Sequence, residues 1–421
     1  MKKLSLNRKA KAAIGSLLSS LKPSNFSSLL FLALILFLPT QFGRHFWPEF
    51  SFIKGIRIDY LSPTLYLTDI LILFLFVFSF FKNKFLITNY KILIILIAVV
   101  IAGIIQSKSP TAGFFGLLKL LEFVFLGFYT ANYIKKNNFQ NILLMLSLGV
   151  IFESLLAVAQ YLNHGSIQGF FYFFGERFYN SQTPGIANAS IGGELFLRPY
   201  GTFPHPNVLA GYLFVAMTML IFNFQFTIFK FKKTLFTSAL ILGTVSLLLS
   251  LSRVAIILWV LVLSFFLIRK LMIKRIPLII ISILILVFLG TFTPLRQRFT
   301  DIRLTDESIT QRESLVQSSE AMIKNHPIFG VGLNNFLTNL PAFEKVQPVH
   351  NIFLLVLSET GIVGISFFLW FLIKTIKKVQ SSYLLLLVSC LLFLGIFDHY
   401  FLTLQQGQLL FAMVLGWCWS D

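Results

Sequence analysis

Six histidines offer the most obvious proton or metal chemistry in this chain: His45, His164, His205, His326, His350 and His399. An imidazole changes charge near neutral pH, so each could serve as an acid, a base or a ligand. A zinc site is not expected, because the histidines lack a paired spacing such as H-x-x-x-H and no cysteine stands near them. Cys390 and Cys418 lie in apolar runs and give no redox or metal signal. His205 and His326 each precede a proline and fit turns. Lys119 and Glu122 interrupt an apolar run and share one helical face. An unpaired charge in lipid costs several kcal/mol, so an internal pair that ties helices together is expected there. Asp69 and Glu153 also sit within apolar runs, and Asp398 sits near the end of one. Each fits bundle packing or the lining of a cavity, and none is assigned a catalytic role.

The elements that must hold these residues are apolar. Of 421 residues, 56% are apolar and 12% charged, and the net charge is +19. Typical soluble domains have about 45–50% apolar and about 25% charged residues. Disorder, a disulfide scaffold and an ordinary water-soluble enzyme are thereby excluded. Apolar runs bounded by charge fall near 27–41, 64–81, 89–106, 112–132, 140–162, 205–226, 234–251, 254–268, 276–292, 351–373, 382–399 and 402–419. The expected fold is all-α, a polytopic transmembrane bundle of about twelve spans with a mostly helical external loop region. Residues 1–292 would hold the first nine spans, with external loops at 42–63 and 163–204. Residues 293–350 would form the large external loop, and 351–421 the last three spans. Lys and Arg concentrate in the N-terminal tail and in alternate connections, whereas nearly all the acids and all six histidines fall on the opposite side. This positive-inside bias makes the net charge a topology signal rather than a sign of nucleic acid. The basic tail and first apolar run resemble a signal anchor that stays attached.

The 42–63 loop is rich in aromatics and proline and reads as an interfacial anchor. Between Ser308 and Lys324 the apolar residues approximate helical spacing, so a short amphipathic helix could lie at the membrane surface. The NHP triplet ends it, GVG supplies a turn, and His350–Asn351 opens the next apolar run, where either residue can satisfy free backbone N–H groups. Glu359 is half a turn away from His350 around that helix and is expected to contact a neighbouring helix.

Four stretches together carry a resemblance: RPYGTFPHPNVLAGYL at 198–213, SR at 252–253, an arginine followed by NHPIFGVGLNNF at 312–336, and HNIFLLVLSETGIVG at 350–364. The combination resembles the O-antigen ligase and O-antigen polymerase superfamily of integral-membrane glycosyltransferases. That resemblance implies transfer of a glycan from a polyprenyl diphosphate carrier to an acceptor hydroxyl. The donor is a carrier-linked glycan and the acceptor is lipid- or glycan-linked. No cofactor, metal or nucleic acid is implied. The setting is a bacterial cytoplasmic membrane, among membrane lipids, with the site facing the periplasm or outside. Carried onto this sequence, the resemblance makes Arg253, Arg312 and His350 the catalytic candidates. Arg198 and Asn351 are the candidate substrate-binding residues.

The chemistry is coherent in its own right. A polyprenyl diphosphate sugar is already activated, and its leaving group is anionic. Guanidinium groups match phosphate geometry and hold their charge, and a neutral histidine can take the acceptor proton. Plainer roles stand beside these. Arg253 can snorkel to lipid phosphates, Arg312 can be a solvated loop charge, His350 can cap a helix, and Arg198 can brace its loop. Ligation to a lipid-core acceptor is the first reading. Repeat-unit polymerisation and glycan transfer to protein are the alternatives. A polytopic transporter is the rival of another class, though no repeat between halves and no matched pair of broken helices supports it.

Overall fold

In an apolar surrounding the backbone must satisfy its own polar groups, and a helix does so within one segment. Every apolar run of this chain accordingly carries a helix. The computed structural model describes residues 26–81, 90–191, 194–223, 230–268, 276–300, 307–341 and 346–420. The basic tail before residue 26, the basic connections at 82–84 and 269–275, and the signal-anchor expectation lie outside the described residues.

The helices are α1 (Phe26–Leu36), α2 (Leu67–Phe81), α3 (Tyr90–Ile105), α4 (Pro110–Lys136), α5 (Phe139–Asn163), α6 (Pro206–Asn223), α7 (Lys230–Leu249), α8 (Arg253–Ile268) and α9 (Ile276–Thr291). They continue with α10 (Thr293–Thr300), α11 (Glu307–Asn325), α12 (Ile352–Lys378), α13 (Ser382–Phe397), α14 (Tyr400–Thr403) and α15 (Gln405–Cys418). Helix α6 is buried on nearly every face, and α5, α7, α8, α13 and α15 pack around it.

Among the described residues four helices, α4, α5, α6 and α12, are long and apolar enough to cross a membrane. A fifth span results if Ile281–Thr291 and Thr293–Thr300, bent by 77°, count as one. This falls short of the expected twelve, and the difference is one of length. Six further apolar helices have only 10–17 described residues, and at about 1.5 Å per residue they are shorter than a bilayer core of about 30 Å. Turn residues cut some of them. Leu251, at φ 53°, separates α7 from α8, and Asp398 ends α13.

The expected all-α character also needs correction. The loop segments fold partly as small antiparallel pairs: β1 (Gly43–His45) with β4 (Thr64–Tyr66), β2 (Phe52–Ile53) with β3 (Ile56–Arg57), and β5 (Asn188–Ile191) with β6 (Glu194–Leu197). The β2–β3 turn is Lys54-Gly55, both at positive φ, the twist that suits a two-residue hairpin.

The amphipathic segment forms α11 as expected. Its partner α12 is broken at Gly361, whose φ is 62°. The HPIFGVG turn repairs the break. Val331 N and Gly332 N donate to the carbonyls of Ser358 and Glu359, both at 2.9 Å, while Ile362 N and Val363 N donate to Pro327 O and Ile328 O at 2.8 and 3.3 Å. A Cβ at Gly361 would meet Ile328 O, and one at Gly330 would meet the Glu359 backbone, so the close approach requires glycine on both sides. Ser319 and Ser358 share a hydrogen bond of 2.6 Å between α11 and α12. Arg312 lies two turns before Ser319, and His350 lies about as far before Ser358. With the helices running the same way, both residues arrive at one end of the pair.

Candidate functional site

The segment 198–207 is fixed from below by α5. Gln160 Oε1 accepts from Tyr200 N and Gly201 N at 3.1 and 2.7 Å. The Glu153 carboxylate accepts from Thr202 N at 2.9 Å and from Thr202 Oγ1 at 2.6 Å. Glu153 therefore packs the bundle by holding a loop. On this platform Arg198 is 5% exposed. Its Nε donates to Ser250 O at 2.7 Å and its Nη2 to Asn207 Oδ1 at 2.7 Å.

Ser250 leads into the turn that starts α8 with Arg253. Arg253 Nε donates to the Arg298 carbonyl at 2.6 Å, which ties α8 to the short helix α10. Arg298, Arg312 and Arg253 all act electrostatically on Arg198. Burial, then these neighbouring guanidinium groups, push Arg198 down to about 9. Among the described residues no carboxylate forms an ion pair with Arg198, Arg253 or Arg312. Four arginines thus share one region, and three of them, Arg198, Arg253 and Arg312, meet no described carboxylate, a setting that suits an anion.

His350 lies at the edge of this region. Its Nδ1 is 3.5 Å from Asp398 Oδ1, with side chains 17% and 13% exposed. That contact is longer than a formed hydrogen bond. Burial alone would raise the Asp398 carboxyl, but His350, with His399 and His205, holds it well below the usual carboxylate range. His399 N donates to Asp398 Oδ1 at 2.9 Å, and its ring lies 4.9 Å from that of His350. Burial pushes His399 down to about 3, as it does His205.

His350, Asp398 and His399 bring their ligand-type atoms within 4.8 Å of one another, a grouping that a search for paired local spacing does not find. Hydrogen bonds occupy much of it: His399 Nδ1 meets Thr403 Oγ1 at 2.6 Å and Asp398 Oδ2 accepts from Asn207. Asn351 caps α12, its Oδ1 accepting from Phe353 N and Leu354 N at 2.8 and 3.0 Å, so that oxygen is occupied and the amide N–H groups are what it can offer a ligand. Glu359 contacts a loop rather than the neighbouring helix expected, accepting from Asn334 N and Phe336 N at 2.9 and 3.1 Å.

Dispersed stretches of sequence, from 198–207 and 250–253 to Arg298, Arg312, His350 and Asp398–His399, thus come together. Residues 238–369 match the O-antigen ligase family model. No curated protein matches the chain. The O-antigen ligase match contains Arg253, Arg312 and His350, whereas Arg198, Asn207 and Asp398 lie outside it. With its apolar helices the chain is a membrane protein, and the match supports an O-antigen ligase-like glycosyltransferase.

The structure places Arg198, Arg253 and Arg312 in one electrostatic neighbourhood, and His350 beside it. Sequence reasoning missed Arg298, Asn207 and His399, and gave Asp398 no role at the site. Asn207 stood inside the RPYGTFPHPN stretch, and Asp398 was visible as an acid closing an apolar run. Their contact spans 191 positions, which no local pattern reveals.

Proposed function

We propose that this protein transfers a glycan from a polyprenyl diphosphate carrier to an acceptor hydroxyl on the outer face of a bacterial cytoplasmic membrane. Ligation is the first form and repeat-unit polymerisation the second. The observation that carries the reading is the gathering of Arg198, Arg253 and Arg312, none paired with a carboxylate among the described residues, beside the His350–Asp398 pair, within and around an O-antigen ligase match. Arg253 and Arg312 hold the donor diphosphate and offset the charge that grows as it leaves. His350 turns Nδ1 to Asp398, and Nε2 receives the acceptor proton. The acceptor oxygen attacks the anomeric carbon directly, so the configuration inverts. This topology takes the apolar helices as about twelve spans with both termini inside and residues 293–350 outside. Lipids and the carrier tail surround the bundle, and the reaction uses no metal.

The test is transfer by purified protein from a carrier-linked donor to acceptor, with and without EDTA. Transfer that survives EDTA supports the reading, and EDTA-sensitive transfer restored by a divalent cation overturns the metal-free scheme. In a gene-deleted host, accumulation of full-length carrier-linked chains indicates a ligase, and accumulation of single repeat units indicates a polymerase.

A further inference from the structure

Between the arginine group and the His350–Asp398 pair stands one neutral side chain. Asn207, in the first turn of α6, accepts from Arg198 Nη2 at 2.7 Å and donates from Nδ2 to Asp398 Oδ2 at 3.2 Å. Its backbone N–H donates to His205 Nδ1 at 3.1 Å. A guanidinium only donates and a carboxylate only accepts, so the bridging group must accept at one end and donate at the other. A primary amide does this in one plane.

We propose that Asn207 is a positioning residue that keeps Arg198 and Asp398 apart, so that Arg198 lends its charge to the anion site while Asp398 serves His350. Without the amide the two opposite charges face each other across a small gap and close into a direct ion pair. Each site then loses a charge it needs. The contact between Asp398 and His350, at 3.5 Å, is the weaker of the two claims on that carboxylate and gives way. The amide is thus a spacer between two halves of the site. It lies outside the segment matching the O-antigen ligase family.

The titratable groups facing His350 are Asp398 and His399 from the break between α13 and α14 and His205 from the segment before α6; Arg312 and Tyr60 act on His399, and Arg198 on His205. Of these, Asp398 is the one anionic group, and the Asn207 amide fixes where its carboxylate stands.

The inference rests on His350 being the base, but its test needs no substrate. Full-length protein in detergent is treated with diethyl pyrocarbonate across a pH series, and carbethoxylation of the peptide holding His350 is followed by mass spectrometry. Asn207→Leu, close in size but without the amide, should lower the His350 midpoint by about one pH unit. Asn207→Asp should raise it, because a second carboxylate now faces the pair. Asp398→Asn should lower the midpoint, and adding Asn207→Leu to it should cause no further shift. Opposite shifts in the two Asn207 variants support the proposal. Unmoved midpoints, or shifts of one sign, overturn it. If Asn207→Leu fails to fold, the Asp variant decides: an upward shift supports the spacer and any other result overturns it. Failure of the proposed function would look different, as wild-type protein that transfers no glycan while this titration pattern holds.

Discussion

Lys119 and Arg198 are both cations inside an apolar bundle, yet their surroundings are opposite. Lys119 Nζ meets Asp69 Oδ2 at 2.8 Å and Glu122 Oε2 at 3.0 Å, and donates to Gln405 Oε1 at 3.3 Å. Gln405 also binds Thr68 at 3.1 Å. Three helices, α2, α4 and α15, are tied by a group whose charges meet one another. The pairing of Lys119 with Glu122 was expected, and Asp69 joins it from α2. Among the described residues Arg198 has only neutral acceptors, Ser250 O and Asn207 Oδ1, and further arginines stand around it. Charge that a fold neutralises internally holds helices together. Like charges gathered without a described carboxylate partner fit instead the anion-holding role proposed above, because an apolar bundle gains nothing from collecting them.

Breaking the first group should cost folding rather than chemistry. Lys119→Met leaves two buried acids without their cation and should destabilise the protein by about 3–5 kcal/mol. Thermal unfolding in detergent measures this, and the folded fraction should transfer glycan at a near wild-type rate. Adding Asp69→Asn and Glu122→Gln should recover much of the loss. A triple variant as unstable as the single one would show that the charges are not the cause.

The arginine group should answer the other way round. Arg253→Ala or Arg312→Ala should lower turnover by about 10²–10³-fold, roughly 3–4 kcal/mol on the barrier, while thermal stability stays level or rises as like charges separate. Lysine at Arg312 should restore only part of the rate, since it keeps charge and loses the fork. Near-normal turnover in both alanine variants would leave those arginines as anchors and erase the contrast with Lys119.

Two smaller effects sharpen the boundary between scaffold and site. Gly361→Ala forces a Cβ toward Ile328 O at positive φ and should cost about 1–3 kcal/mol of stability. Arg312 and His350 both depend on the α11–α12 register, so turnover should fall along with it. Asn351→Ala should cost about 1 kcal/mol through the lost helix cap, with KM unchanged. A raised KM at unchanged stability would instead make Asn351 a substrate contact.

Much of this was legible in the sequence for identifiable reasons. Hydropathy located a helix at every apolar run, because burial in an apolar medium acts locally on the backbone. It could not set their lengths, which depend on breaks such as Leu251 and Asp398 that tertiary packing holds. The hairpins at 43–66 and 188–197 were missed because short aromatic and polar stretches look alike as loop or strand. At the site, Arg253, Arg312 and His350 came from motif resemblance, and Arg198 was legible beside a proline-rich turn. Asn207 and Asp398 were invisible as partners, since each has a plain local role, one in the first turn of a helix and one at a helix end. Their importance lies in a contact between distant parts of the chain.

The mended break in α12 has a consequence for motion. Four backbone amides, those of Val331, Gly332, Ile362 and Val363, are protected only while turn and helix hold each other. Neither partner can open alone without exposing the other's hydrogen bonds. In hydrogen–deuterium exchange these four amides should therefore behave as one opening unit, although thirty residues of chain separate the two pairs. The turn and the kinked helix would then breathe as a single hinge plate, with Arg312 and His350 carried on its two leaves.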